Sequence, residues 1–323
     1  VDTPSITYEY SFEKLYPWKE HFNRGEDVRT YLEHVSRKYG VLANTRFRHD
    51  VKGAAFDEAR NLWRIDVDTP EGARQLEANV VITACGTFAN AQLPDIPGVE
   101  KFTGRIVHPS AWPADLDLAG KRVAVIGNGS TGVQLLSAIA EKAAQVTVVQ
   151  RTPQWISPRE KYGDPIEPEV AWLIGNLPAY WNWWRYTSTA PLFDFHLLQR
   201  VDREWQAQGG KVSKANDDVR AFLTSYIRQE TGGREDLIDK LIPDYAPMSR
   251  RPVVDNGWYR ALTRENVELL TGSVAAFTES GIVMADGTAR EVDVVVSATG
   301  FDVLKYLWPA RYKGLGGQDL HDF

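Results

Sequence analysis

The sequence predicts an α/β fold built on a parallel sheet, on three observations. The short apolar run Val123-Ala124-Val125-Ile126 suits a strand buried on both faces. Val133 to Ala143 then carries apolar residues at helical spacing, and Val146-Thr147-Val148-Val149 reads as a second buried strand. Between the first strand and the helix stands Gly127-Asn128-Gly129-Ser130-Thr131-Gly132. In such a G-x-G-x-x-G loop Gly127 permits the tight turn, Gly129 lets the backbone approach a pyrophosphate, Gly132 allows close packing, and the helix N-terminus attracts the anion. The unit therefore reads as Rossmann-like and dinucleotide-binding. A purely structural glycine turn is the alternative.

Composition sets the bounds. At roughly 150 residues per domain, a chain of 323 residues corresponds to two domains. Hydrophobic residues make up 43% and charged residues 25%, which excludes a disordered or collagenous chain. A net charge of -6 argues against nucleic acid as a partner, and a single cysteine, Cys85, excludes an internal disulfide. No metal site is read from the sequence. No apolar run reaches the roughly 18 residues of a membrane helix, and no signal peptide is recognisable, so the expected compartment is cytoplasmic. The text opens at Val1, immediately ahead of what reads as a strand, Ser5 to Phe12, and stops at Phe323 in a polar stretch. Such ends point to a segment of something longer.

In chain order, Asp27 to Tyr39 places Val28, Tyr31, Leu32 and Val35 on one helical face, with Asp27 as N-cap and Gly40 at the end. Strand-like runs follow at Val51 to Phe56, Leu62 to Val67 and Val80 to Ala84. The Pro-rich connector Leu93 to Gly98 marks a boundary. After the dinucleotide unit the text turns helical from about Gly163 to Tyr245, with helices at Asp217 to Gln229 and Glu235 to Ile242. Strands return at Val267 to Leu270, Gly281 to Met284 and Val292 to Val296, so the middle block reads as an insertion. Five of the eleven tryptophans fall between Trp172 and Trp205, residues that line a pocket, rest on a membrane surface or simply pack.

The second strand of the unit closes with Gln150-Arg151-Thr152, where an NAD or FAD site carries an acidic residue to bond the ribose. Without that carboxylate a 2'-phosphate is not repelled, and the Arg151 guanidinium offers it two hydrogen bonds, which favours NADPH. A solvated surface arginine is the bland alternative.

Just before the unit, Phe102-Thr103-Gly104-Arg105-Ile106-Val107-His108-Pro109-Ser110-Ala111-Trp112-Pro113 fits F-x-G-x-x-x-H-x-x-x-W-P. This resembles the fingerprint of Baeyer-Villiger monooxygenases, flavoenzymes that insert an oxygen atom beside a ketone carbonyl. Ala84-Cys85-Gly86 and Ala298-Thr299-Gly300-Phe301-Asp302 resemble the paired strand-end signals of two-dinucleotide flavoproteins, and Gln150 to Pro153 resembles the family's NADPH-side text. Met248 to Tyr259 is similar to the site loop of the hydroxyacetophenone monooxygenase-like branch, where Lys-Arg is usual and this chain has Arg250-Arg251.

The resemblance implies FAD and NADPH as cofactors, O2 and a small-molecule ketone as reactants, and an ester or lactone as product, by way of a C4a-peroxyflavin. It places Arg250 beside Arg151 on the 2'-phosphate and makes Arg251 the catalytic arginine, a permanent cation suited to developing oxyanions. Asp2 matches the aspartate that orients it. Tyr8 resembles a flavin contact, Val51 a contact to the adenine end, and His108 part of a hinge, though a structural histidine is the plain reading. Arg250 and Arg251 remain readable as an exposed basic pair.

Only one G-x-G-x-x-G exists, so the resemblance implies the middle of a longer enzyme. Residues 1–100 would be the later part of the FAD-binding domain and 101–120 the fingerprint linker. Residues 121–162 and 246–300 would form the NADPH domain, 163–245 its helical insertion, and 301–323 the start of the return to the FAD domain. A flavin N- or S-oxygenase and a non-catalytic NADPH-binding module are the alternatives.

Overall fold

The computed structural model describes residues 1–193 and 195–322, and residues 191–193 by their backbone only. Two compact units divide the chain: Val1–Val35 with Pro94–Thr299, and Ser36–Leu93 with Gly300–Phe323. One crossing falls at Leu93, in the Pro-rich connector, and one at Thr299, in the Ala-Thr-Gly stretch. Residues 1–35 fall in the compact unit of the parallel sheet.

The larger unit is built on five parallel strands. In spatial order they are Arg105–Val107, Val294–Ser297, Arg122–Ile126, Gln145–Gln150 and Val267–Thr271. Because side chains alternate across a strand, Val123 and Val125 face one layer and Ala124 and Ile126 the other. The first layer holds the helices Ser130–Ala140, Lys214–Glu230, Glu235–Leu241 and Trp258–Leu262, closed around Leu136, Ile227, Trp258 and Tyr259. The second is an antiparallel meander, Val274–Phe277, Gly281–Met284 and Ala289–Glu291, contributing Phe277, Ile282 and Met284. Burial on both faces is why these strands read as unbroken apolar runs.

The insertion is helical as expected, with Pro168–Asn176, Tyr180–Phe193, Phe195–Leu198 and Arg203–Ala207 preceding Lys214–Glu230 and Glu235–Leu241. Asp194, inside this block, and Phe323, at the end of the last segment, lie outside the described residues.

Two expected strands are absent, and one helix starts earlier than expected. Ser5 to Phe12 is no strand: Ser5–Tyr8 is a 3-10 turn, because the Thr7 N–H and hydroxyl both donate to the Pro4 carbonyl, at 2.9 and 2.6 Å, and so stabilise a local turn. The helix expected from Asp27 runs Gly25–Lys38; Asp27 lies in its first turn and accepts from the Arg24 N–H at 3.1 Å, and Leu32 is exposed.

In the smaller unit, Asp50–Asp57, Leu62–Thr69 and Gly72–Ala78 form an antiparallel sheet, with Arg311–Lys313 added in parallel along Asp50–Asp57. The third strand is Gly72–Ala78 and not Val80 to Ala84, because the two-residue turn Pro70-Glu71 folds the chain straight back onto Leu62–Thr69. Val80 and Ile82 are left 72% and 85% exposed. No helix among the described residues is long and apolar enough to cross a membrane.

Candidate functional site

The carboxyl ends of the parallel strands carry most of the expected site. Arg122–Ile126 runs into Gly127, Gln145–Gln150 into Arg151, Arg105–Val107 into His108 and Val294–Ser297 into Ala298. The chain leaves the central strand first toward Gln145–Gln150 and returns on its other side, which is the switch point where α/β sheets bind ligands.

The glycine loop has the shape its mechanism needs. Gly127 has φ 109°, and a Cβ on Gly132 would stand 2.1 Å from the Gly127 carbonyl oxygen. Gly129, the N-cap of Ser130–Ala140, has nothing within 4 Å of its Cβ position and no side chain caps the helix. Its first-turn N–H groups, with half-buried Ser130 and Thr131 beside them, therefore remain available to an anion.

The Asn128 side chain is turned inward from the loop. It is buried, and its amide donates to the Gln150 side chain at 3.2 Å and to the Thr152 carbonyl at 2.8 Å. Gln150, fully buried, donates in turn to the Lys240 carbonyl at 2.7 Å. The residue in the usual acid position thus braces the loop internally, while Arg151 projects exposed from the strand end.

Arg250 and Arg251 are exposed in the segment leading to the short strand Val253–Val254. The Arg250 guanidinium lies 4.2 Å from the Tyr245 ring centre, and the Tyr245 hydroxyl donates to the Pro153 carbonyl (3.0 Å) or Gln154 Oε1 (2.9 Å). One tyrosine therefore links Arg250 to the residues that follow Arg151. Beyond Arg251 the segment is anchored by buried Asp255, which accepts from the Gly257 and Trp258 N–H groups at 2.7 Å each and from the Tyr226 hydroxyl at 2.8 Å. Burial first, and the charge of Asp255 second, hold the Tyr226 phenol far above its ordinary value.

Asp2 reaches this region by another route. Among the described residues no hydrogen bond or ion pair joins it to Arg251; its carboxylate accepts from Thr3 at 3.3 Å and from the Gln134 side chain at 3.5 Å. The Gln134 carbonyl accepts from Asn256 at 2.8 Å, and Ser137 donates to the Asn256 carbonyl at 3.3 Å. The Ser130–Ala140 helix is thus the shared platform of the glycine loop, Asp2 and the arginine segment. Half-buried Tyr8 lies close by, its phenol raised by burial and by Asp2 and lowered by a hydrogen bond from Thr3.

Val51 lies in the other unit, exposed on Asp50–Asp57, where it lines an apolar cavity of about 530 Å³. The fingerprint forms the edge of the parallel sheet. Phe102 meets Phe277 with ring centres 5.6 Å apart, and a Cβ on Gly104 would stand 2.5 Å from the Asp293 carbonyl oxygen. His108 is buried, its Nδ1 accepting from the Ser110 N–H at 3.3 Å and lying 2.8 Å from the Ser110 hydroxyl; Trp112 is exposed and Pro113 half-buried.

Gln134, Tyr245 and Asp255 were not singled out from the sequence. Only Asp255 carried a signal, an acidic residue two positions before a glycine that opens a helix.

A glycine-cradled helix N-terminus at the switch point of a parallel sheet defines a Rossmann-like α/β protein of the dinucleotide-binding class. The model of flavin-binding monooxygenase-like proteins matches residues 5–170, more than half of the sequence, and the chain belongs to that family.

An uncharacterised monooxygenase of Sinorhizobium fredii is 33% identical over 325 residues, covering 100% of this chain and 49% of the relative. A Baeyer-Villiger monooxygenase of Streptomyces coelicolor is 33% identical over 322 residues, covering 99% of this chain and 58% of the relative. The chain thus spans about half the length of the curated relatives it matches. Among solved structures, an oxidised steroid monooxygenase bound to NADP superposes with TM-score 0.81 at 30% identity, over 100% of this chain and 66% of the other. The cyclohexanone monooxygenase of Rhodococcus sp. Phi1 bound to NADP+ gives 0.80 at 28% identity, over 100% and 65%.

Proposed function

We propose that this chain is the NADPH-binding core of a monooxygenase that inserts one atom of O2 beside the carbonyl of a small-molecule ketone, with FAD as its second cofactor. The observation that carries the reading is the Ser130–Ala140 helix. It begins at the glycine loop, and Gln134 meets both Asp2 and the Arg251 segment. The likeness to steroid and cyclohexanone monooxygenases supports a ketone as the substrate class.

Bound NADPH supplies a hydride, and bound FAD the reaction with O2. Gly127 to Gly132 would hold the pyrophosphate against the helix N-terminus. Arg151, with Arg250 placed next to its strand end by Tyr245, would fork hydrogen bonds to the 2'-phosphate. Arg251 would hold a permanent positive charge against the oxyanion formed when the ketone carbonyl is attacked. Asp2, a carboxylate of the N-terminal segment that Gln134 ties to the shared helix, would orient that guanidinium. Asp255 fixes the far end of the segment so that its arginines project from an anchored turn. The FAD phosphates are assigned to no residue of this chain, whose one glycine loop is the copy followed by Arg151; Val51 would touch the adenine end.

The test is the whole protein, purified and supplied with NADPH, O2 and a panel of ketones and amines. Flavin absorbance with NADPH-dependent ester formation is the expected result. Colourless protein, or oxygenation of amines with no ketone turned over, contradicts the reading.

A further inference from the structure

The geometry points to a second ligand site in the larger unit: a cavity of about 270 Å³ that takes a small monocarboxylate with an apolar body. This inference does not rest on the oxygenation reading. The cavity lies between the N-terminal segment, the turn at residues 159–161 and the helix Tyr180–Phe193. Its volume equals about nine waters at roughly 30 Å³ each, room for a ligand of about that many non-hydrogen atoms.

Arg159 supplies the chemistry. Arg159 lines the cavity, its side chain makes no hydrogen bond or ion pair among the described residues, and its Nε is buried without an acceptor. A buried N–H left unpaired is the exception in folded proteins, and the planar fork of arginine matches the two oxygens of a carboxylate. The other charges nearby are already matched. Glu167 accepts from Lys161 at 2.7 Å and lies 3.0 Å from His21 Nε2, so one carboxylate faces both the Lys161 ammonium and the His21 ring. Glu160, on the same turn, is exposed and adds a negative charge at the rim. One unpaired cation beside one carboxylate suits a monoanion and disfavours a phosphate dianion.

The remaining walls are apolar. Ile6, Phe22 and Trp184 face the space, and the Trp184 ring is held edge-on to His21 with centres 5.6 Å apart. Phe22 packs on Tyr162 with ring centres 5.2 Å apart, which supports that wall from behind. The Ser188 hydroxyl lines the same space and offers a further donor.

The test is calorimetric titration of the purified protein with benzoate, with benzamide as its neutral counterpart and inorganic phosphate as the competing anion. Benzoate is expected to bind, benzamide about tenfold or more weakly, and phosphate is not expected to displace benzoate. Arg159→Gln should cost benzoate about tenfold or more, Arg159→Lys should retain part of the affinity, and Glu160→Gln should tighten it. Equal binding of acid and amide overturns the proposal. So do unchanged benzoate affinity in Arg159→Gln with a native circular dichroism spectrum, displacement by phosphate, and the absence of benzoate binding at millimolar concentration.

Discussion

The two glycines that carry the nucleotide loop separate its structural from its binding role. In Gly132→Ala the new methyl would stand 2.1 Å from the Gly127 carbonyl oxygen and 3.5 Å from the Ala298 methyl, with backbone on the near side. Atoms essentially never approach a Cβ closer than 3.0 Å, so the loop and helix must part by about 1 Å. Overpacking of this kind costs about 1–3 kcal/mol, and the displacement moves the N–H groups meant for the pyrophosphate. In Gly129→Ala the methyl meets nothing within 4 Å and φ is negative, so stability should change by no more than about 0.5 kcal/mol. The methyl would nevertheless occupy the surface on which the proposed site seats a pyrophosphate. Loss of one charge-assisted hydrogen bond, about 1.5–3 kcal/mol, raises the Kd about tenfold or more. Denaturant unfolding and NADPH titration of both variants provide the check. Wild-type NADPH affinity in Gly129→Ala, or wild-type stability in Gly132→Ala, would refute the reasoning.

Arg151→Ala should weaken NADPH by about tenfold or more and leave NADH unchanged, measured by paired titrations; equal losses would remove the 2'-phosphate assignment. Asn128→Ala leaves the buried Gln150 side chain and the half-buried Thr152 carbonyl without their donor and should cost about 1–3 kcal/mol in denaturant unfolding. Burial holds the Glu9 carboxyl above its ordinary value, against hydrogen bonds from Trp181 and Trp18. A raised carboxyl stabilises the fold while protonated and loses that contribution as pH rises through its folded value. The Tm of wild type relative to Glu9→Gln should therefore fall from pH 4.5, the ordinary value, upward; a flat difference contradicts the assignment. Arg251→Ala in the whole protein should keep flavin reduction and lose ester formation, followed by absorbance and product analysis.

The parallel sheet was legible because strands buried on both faces leave nothing polar to break their runs: Val123 to Ile126 and Val146 to Val149 lie within the observed strands. Ser5 to Phe12 misled because its alternation ignores the competing bond from Thr7 to Pro4. Gly72–Ala78 was missed because most of its side chains, Arg74 and Glu77 among them, face water, and Leu76 alone makes no apolar period. At the site, the glycine spacing was visible because it is local. The internal bonding of Asn128 was not, since Gln150 and Thr152 meet it only after the second strand is laid beside the first. Gln134 is a glutamine on a helix with no sequence mark, and the Arg159 cavity joins segments more than twenty residues apart on either side.

The central claim is tested most directly by turnover of a ketone by the whole protein under isotopically labelled O2 with NADPH. The account predicts one labelled oxygen atom in the ester or lactone for each NADPH consumed. NADPH oxidation that yields only hydrogen peroxide, or a product whose inserted oxygen comes from water, would contradict it.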